Sequence, residues 1–281
     1  MVRQTNPDIN NIAALLARLT NRDRAIIDTL GRHRVLTLNQ LSWLFFTSTR
    51  AARDRINCLR DLDVLTRFRA CQRPGSQAYR YTLGATGAYL HAAATGQPAP
   101  RPAALTRRLT ELATNTHLAH LLGVNDFAAR LHHAARHRGD WTVTEWLSEA
   151  EAGKRIGGSL RPDAGFTIHT TVQATSGEVA LWYEYDTGTE TLTTLAAKFD
   201  RYARVPGPAR RSVLVELTAP GRETNLHQQL TEGHTGLAVA TTTTAAAADP
   251  TKAVWWPLGS PRRTTLDRIA TCDASPSGWS A

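Results

Sequence analysis

Two short stretches carry side chains suited to metal and phosphate chemistry: Arg161-Pro162-Asp163-Ala164 and Trp182-Tyr183-Glu184-Tyr185-Asp186. In an extended chain side chains alternate, so Val179, Leu181, Tyr183 and Tyr185 share one face while Ala180, Trp182, Glu184 and Asp186 share the other. Glu184 and Asp186 then project side by side, and pairing with the 161–170 segment adds Asp163. Three carboxylates at neighbouring strand ends either repel one another or share a divalent cation. Mg²⁺ or Mn²⁺, hard ions that prefer oxygen, are the expected cofactors, with Asp163, Glu184 and Asp186 as ligands. Taken singly, each acid reads more simply as a strand-end salt bridge. Their co-occurrence favours a site, as do the aromatic and aliphatic neighbours of Glu184, because a carboxylate in such company needs a cation or a hydrogen-bond donor to stay charged.

The flanking pattern supplies the elements that must hold these residues. Segments 163–173 and 178–186 read as a hairpin turning at Ser176-Gly177. Residues 189–203 read as a helix with Leu192, Leu195, Phe199 and Tyr202 inward, and Lys198 beside that face is within reach of the acids. A short strand over 141–145 places Trp141, Val143 and Glu145 on one face, with Glu145 as a supporting or additional ligand. Residues 148–160 read as a flexible basic loop with Lys154, Arg155 and Gly157-Gly158, lacking the Gly-x4-Gly-Lys-Ser/Thr spacing of a P-loop. A strand over 211–217, part of a helix over 225–230 and a last strand over 236–241 follow. Threonine and alanine make 240–248 low-complexity, and residues 272–281 read as disordered. Upstream, 107–137 is one long helical stretch whose His117 and His120 stand three apart, a spacing commoner on helix surfaces than at metals.

The 281 residues suffice for two domains. With no run of about 18 apolar residues and no basic-then-apolar amino terminus, neither a membrane span nor a secretory signal is expected. Cys58, Cys71 and Cys272 lack CxxC spacing, which argues against a disulfide framework or zinc site and for a reducing cytoplasm. Of the net charge of +9, residues 1–100 carry +8, from fourteen arginines against six acids. That region is the expected anion-binding surface, since arginine's planar fork suits phosphates and base edges.

Within it, residues 1–10 read as a frayed end, 11–19 as a short helix, and 22–30 as a helix stopped by Gly31. Thr37 caps a second helix through Leu41, Leu44 and Phe45. Thr47 or Ser48 caps a third, with Ala51, Ile56, Leu59 and Leu62 inward and Arg50, Arg53, Asn57 and Arg60 outward. Strands over 64–70 and 77–82 flank a turn at Pro74-Gly75 and carry Arg67, Arg69, Arg73 and Arg80. Three helices and a hairpin follow the order of a winged helix-turn-helix, whose third helix enters a major groove while the wing touches the backbone. Double-stranded DNA is the expected partner, bound by Arg50, Arg53, Asn57, Arg60, Arg67, Arg69 and Arg80. A helix over 85–94 closes this domain, 1–94; the proline-bearing 95–103 reads as a linker, 104–245 as a second domain, and 246–281 as a partly disordered extension.

The order helix, strand, hairpin, helix, strand is that of the restriction-endonuclease-like core, written PD-(D/E)XK. Pro162-Asp163 matches its first half, and Glu184-Tyr185-Asp186 stands at its second. Over residues 20–240 the chain resembles the replication-relaxation family: a winged helix, then a nuclease-like domain with Arg-Pro-Asp-Ala (161–164), Glu-x-Asp-x-Gly-Thr-Glu (184–190) and Leu-x2-Lys-x3-Tyr (195–202). It is similar, too, to mobilisation relaxases built on a nuclease-like fold. The resemblance implies an α+β or α/β protein of plasmid or integrative-element replication or conjugation. Such a protein binds origin DNA and nicks or relaxes it by metal-dependent phosphodiester cleavage, in the cytoplasm with nucleoid or plasmid. Asp163 and Glu184 would hold the metal. Asp186 stands where the pattern has its lysine, with Lys198 as the substitute, and a second copy of the chain is a candidate partner. No His-x-His occurs among the ten histidines, which argues against relaxases that use a histidine cradle and a tyrosine. The competing expectation is a DNA-binding replication or transcription regulator with an inert nuclease-like domain.

Overall fold

A computed structural model describes residues 9–69, 78–158, 160–172, 175–230 and 237–269. The chain divides into two compact units, Met1–Leu118 and Ala119–Ala281, each a mixture of helix and sheet.

In the first unit, helices begin where side chains cap them. After α1 (Ile9–Arg18), the Thr20 hydroxyl accepts from the Asp23 N–H while the Asp23 carboxylate takes the Thr20 N–H, and α2 (Asn21–His33) starts. β1 (Leu36–Thr37) leads into α3 (Leu38–Phe45), boxed by Thr37 and Gln40, and Ser48 caps α4 (Thr49–Asp61). β2 (Leu65–Phe68), β3 (Arg80–Leu83), α5 (Ala85–Ala94) and α6 (Pro102–Thr114) complete the unit, with its antiparallel sheet ordered β1-β3-β2. Ile26, Leu30, Leu36, Leu41, Ile56 and Leu59 form its buried core. Asp23, wholly buried, bonds Arg55 Nε at 2.9 Å and so ties α2 to α4.

Three expectations change here. α2 runs through Gly31, because a side chain there would overlap the His91 ring; the glycine serves close packing, and the helix ends at His33, before Arg34 at φ 72°. In α4 the inward position is Ala52 rather than Ala51, in step with Ile56 and Leu59 at spacings of four and three. The 107–137 stretch is two helices, parted at 115–117, where Asn115 Oδ1 accepts the His117 N–H at 2.9 Å. The Pro74-Gly75 turn, Arg73, Cys71 and Cys272 lie outside the described residues.

The second unit is a six-stranded mixed sheet in sequence order. α7 (Leu118–Arg138) precedes β4 (Trp141–Ser148), α8 (Glu149–Arg155), β5 (Ala164–Val172) and β6 (Thr175–Asp186). Next come α9 (Leu192–Ala203), β7 (Ser212–Leu217), α10 (Pro220–Leu230), β8 (Val239–Thr243), β9 (Trp256–Pro257) and α11 (Leu266–Ile269). β4, β5 and β6 pair antiparallel; β6, β7 and β8 pair parallel, joined through α9 and α10 as parallel pairing requires, and β9 closes antiparallel. On one face, Phe127 of α7 stacks on Tyr183 at 4.1 Å. On the other, Trp182, Val213 and Val215 pack with Ala152, Leu195, Phe199, Leu226 and Leu230 from α8, α9 and α10.

The loop expected at 148–160 contains a helix: Ser148 and Glu151 make a capping box, Glu149 and Glu151 face the amino end of the dipole, and Lys154 and Arg155 the other. Ser176 and Gly177 lie inside β6, opposite Thr171 and Thr170, rather than at the turn, and the pairing continues to Val172 opposite Thr175. The last expected strand begins at Val239 and is followed by β9. Its threonines are buried, small enough for a strand covered on both sides. Among the described residues no helix is long and apolar enough to cross a membrane.

Candidate functional site

The antiparallel register of β5 with β6, Ala164 opposite Tyr183, puts Asp163 beside Glu184 at one end of the hairpin. Asp163 Oδ2 accepts the Tyr185 backbone N–H at 2.8 Å and lies 3.1 Å from His120 Nε2 of α7. α7 approaches β6 closely because residue 123 is glycine; a side chain there would overlap the Tyr185 ring. The bond to Asp163 raises His120 above the usual histidine range, against the pull of burial.

Glu184 is 3 % exposed. α9, capped by Thr191 and held by Leu195 and Phe199, brings Lys198 Nζ to Glu184 Oε2 and the Tyr202 hydroxyl to Oε1, and both donate. Burial, and then the neighbouring Asp163, push the Glu184 carboxyl up to about 8, while Lys198 and Tyr202 work against that rise. Burial draws Lys198 down, but Glu184 and Asp163 outweigh it and hold the ammonium above its ordinary value. Tyr202 is raised by burial and then by Glu184, so its proton stays on the phenol.

Asp186 takes a different partner. Arg222 of α10 donates through Nε to Oδ2 and through Nη2 to Oδ1 at 3.1 Å, and the Gly188 N–H caps Oδ1 at 3.0 Å. The same guanidinium holds the Glu190 carbonyl at 2.5 Å, which fixes the loop ahead of α9. Glu145 belongs to another group, bonded by Arg155 at 2.8 Å, Thr167 at 3.0 Å and Arg211 at 3.2 Å. Burial works to raise it, but these three donors together hold it below the usual carboxylate range.

Of the residues expected to form the site, the structure thus gathers Asp163, Glu184 and Lys198, turns Asp186 to Arg222 and leaves Glu145 in its own ion-pair cluster. Among the described residues no group of three or more His, Cys, Asp and Glu side chains is arranged to hold a metal ion. His120, Tyr202 and Arg222 are additions. Tyr202 read as core, which it is, at 1 % exposure; its hydroxyl had no visible partner in the sequence. His120 stands one turn before Gly123, and that glycine was the available sign of a close approach.

In the first unit Arg50, Arg53 and Asn57 are exposed on α4, with Asn57 Oδ1 accepting from half-buried Arg60 at 3.0 Å. Arg67 and Arg69 both lie against the Tyr79 ring, and Arg80 folds back on the Ala78 carbonyl.

A family model described as replication-relaxation matches residues 27–213. No curated protein and no solved structure matches the chain.

Proposed function

Because the chain belongs to the replication-relaxation family, which suggests a replication-related function, we propose that it binds origin DNA of a plasmid or integrative element and nicks or relaxes it by metal-dependent phosphodiester cleavage. The amino-terminal unit is read as a winged helix-turn-helix, with α4 entering the major groove and β2–β3 as the wing. The carboxy-terminal unit is read as a PD-(D/E)XK domain with Asp163 and Glu184 as its acids and Lys198 as a lysine moved from strand to helix. The observation that carries this reading is the bond from Lys198 of α9 to Glu184 of β6, beside Asp163.

The residues fit a hard divalent cation of the two-carboxylate kind. Mg²⁺ is commonly held by one or two carboxylates, with waters and substrate phosphate completing its shell. Asp163 commits Oδ2 to Tyr185 and His120; burial first and then Asp163 lift Glu184, and a cation held by the two acids would relieve the second of these. Bound there, the ion would lower the pKa of a water and neutralise charge on the scissile phosphate. His120 and the Tyr185 N–H fix the Asp163 carboxylate. Glu184 must shed its proton to act as a ligand, and Lys198 and Tyr202 are placed to steady the anion that results. Freed from Glu184, the Lys198 ammonium would be available to the charge that develops on phosphate.

The competing reading, an inert domain serving docking or dimerisation, is favoured by the engagement of both Glu184 oxygens and by the Asp186–Arg222 pair. Purified protein incubated with supercoiled plasmid carrying its own origin separates the two. Conversion to open circles that needs Mg²⁺ or Mn²⁺, stops in EDTA and is lost in Asp163→Ala and Lys198→Ala supports the nickase. Binding without nicking transfers the conclusion to the inert domain.

A further inference from the structure

We propose that Tyr79, held between Arg67 and Arg69, forms a preset phosphate clamp that seats on the backbone of duplex DNA. The inference rests on reading the amino-terminal unit as DNA-binding. Alternation puts Arg67 and Arg69 on one side of β2 and its continuation, and the register pairing Phe68 with Arg80 carries Tyr79 opposite Arg69. The guanidinium carbons lie 3.8 Å (Arg67) and 4.3 Å (Arg69) from the centre of the Tyr79 ring. Two planar cations cannot lie side by side over one phenol face at those distances, so the ring sits between them.

Arg22 lies singly over Phe46; the remaining stacked arginines among the described residues show how such a cation is otherwise used. In the carboxy-terminal unit Arg130, Arg138, Arg211 and Arg263 each lie over an aromatic ring. Each also bonds a carboxylate: Glu216, Asp140, Glu145 and Glu223 respectively. Among the described residues Arg67 and Arg69 bond none, and the adjoining segment 70–77 contains no acidic residue. Stacking uses the flat faces of the guanidinium groups and leaves their N–H edges free, the edges that bind phosphate oxygens in pairs. It also spends beforehand the side-chain freedom that two long, mutually repelling cations would otherwise lose on binding. A ring that orders two such cations, neither bonded to a carboxylate among the described residues, has the form of a site whose anion comes from outside.

The test uses the full chain and a fluorescein-labelled duplex of random sequence, because phosphate binding is sequence-independent, with binding followed by anisotropy between about 50 and 200 mM salt. The Arg67→Ala/Arg69→Ala double variant is expected to lower the slope of log affinity against log salt by about 2, one for each arginine removed. Tyr79→Leu is expected to weaken binding about tenfold at the lowest salt and to lower that slope by at least about 1. Tyr79→Phe, which keeps the ring, is expected to match wild type; circular dichroism confirms that each variant is folded. Loss of slope in the arginine variant with Tyr79→Leu unchanged overturns the clamp and leaves DNA binding standing. Failure of the wild-type chain to bind the duplex overturns both.

Discussion

Replacing Glu184 with glutamine isolates the energetic cost of the buried carboxyl. In the unfolded chain the group titrates near its ordinary 4.5, whereas in the folded protein it is pushed up to about 8. Between those values the folded state holds a proton that the unfolded state has released, so the group's contribution is complete below 4.5 and is lost as pH rises through 8. At about 1.4 kcal/mol per pKa unit the whole displacement is worth about 5 kcal/mol. Glutamine has the same shape: its oxygen accepts from Lys198, its NH₂ faces a Tyr202 hydroxyl free to turn and accept, and it does not titrate. Wild type is therefore expected to lose several kcal/mol of stability relative to Glu184→Gln between about pH 5 and pH 9. Urea unfolding at three pH values, followed by the fluorescence of buried Trp182, measures this. A divalent cation that requires the carboxylate adds about 2.7 kcal/mol to wild type at a hundred times its dissociation constant, and nothing comparable to the variant. Parallel pH profiles for the two proteins would refute the account of Glu184 as a carboxyl destabilised by burial and by Asp163.

Three further outcomes follow from other parts of the fold. Arg55→Ala strands the fully buried Asp23 without its cation and is expected to cost about 3 kcal/mol in chemical denaturation; a loss below about 1 kcal/mol contradicts it. Gly123→Ala drives a methyl group into the Tyr185 ring and is expected to cost about 1–3 kcal/mol, measurable as a lowered urea midpoint. Burial, aided by Arg136, depresses His132 to about 4, so stability present above its ordinary 6.5 is lost as pH falls through 4, an effect of about 3 kcal/mol. His132→Phe is expected to flatten the acid side of a thermal-melting profile, and an unchanged profile counts against the assignment.

Where the sequence was legible, local physics decided. The Thr37 and Ser48 caps, the helix over 85–94 and the alternation of β6 are written in neighbouring residues and appear as expected. The pairing of Lys198 with Glu184 was legible too, since helical spacing placed that lysine beside an inward face. Partners contributed from far along the chain were not. Nothing near Asp186 announces Arg222, and without it an acid at a strand end reads as a metal ligand. The helix α8 was hidden by its glycine and basic residues, although Ser148 and Glu151 spell its cap. Residues 240–248 read only as low-complexity beyond a strand placed at 236–241, yet small threonines suit a strand with no room for larger ones and carry it to Thr243.

Asp163, Glu184, Lys198 and Tyr202 all come from one uninterrupted run, residues 163–202, a hairpin and the helix after it. Short loops cost little chain entropy to close, and pairings of small sequence separation form early. During synthesis the two acids and their lysine can meet once that run has emerged, with His120 already made and Arg222 still to come. The parallel pairing of β7 with β8 must wait for α10. Until then Asp186 lacks its counter-ion beside a crowded pair of carboxylates, so the last crossover to dock also quenches the charge left unpaired in the emerging chain.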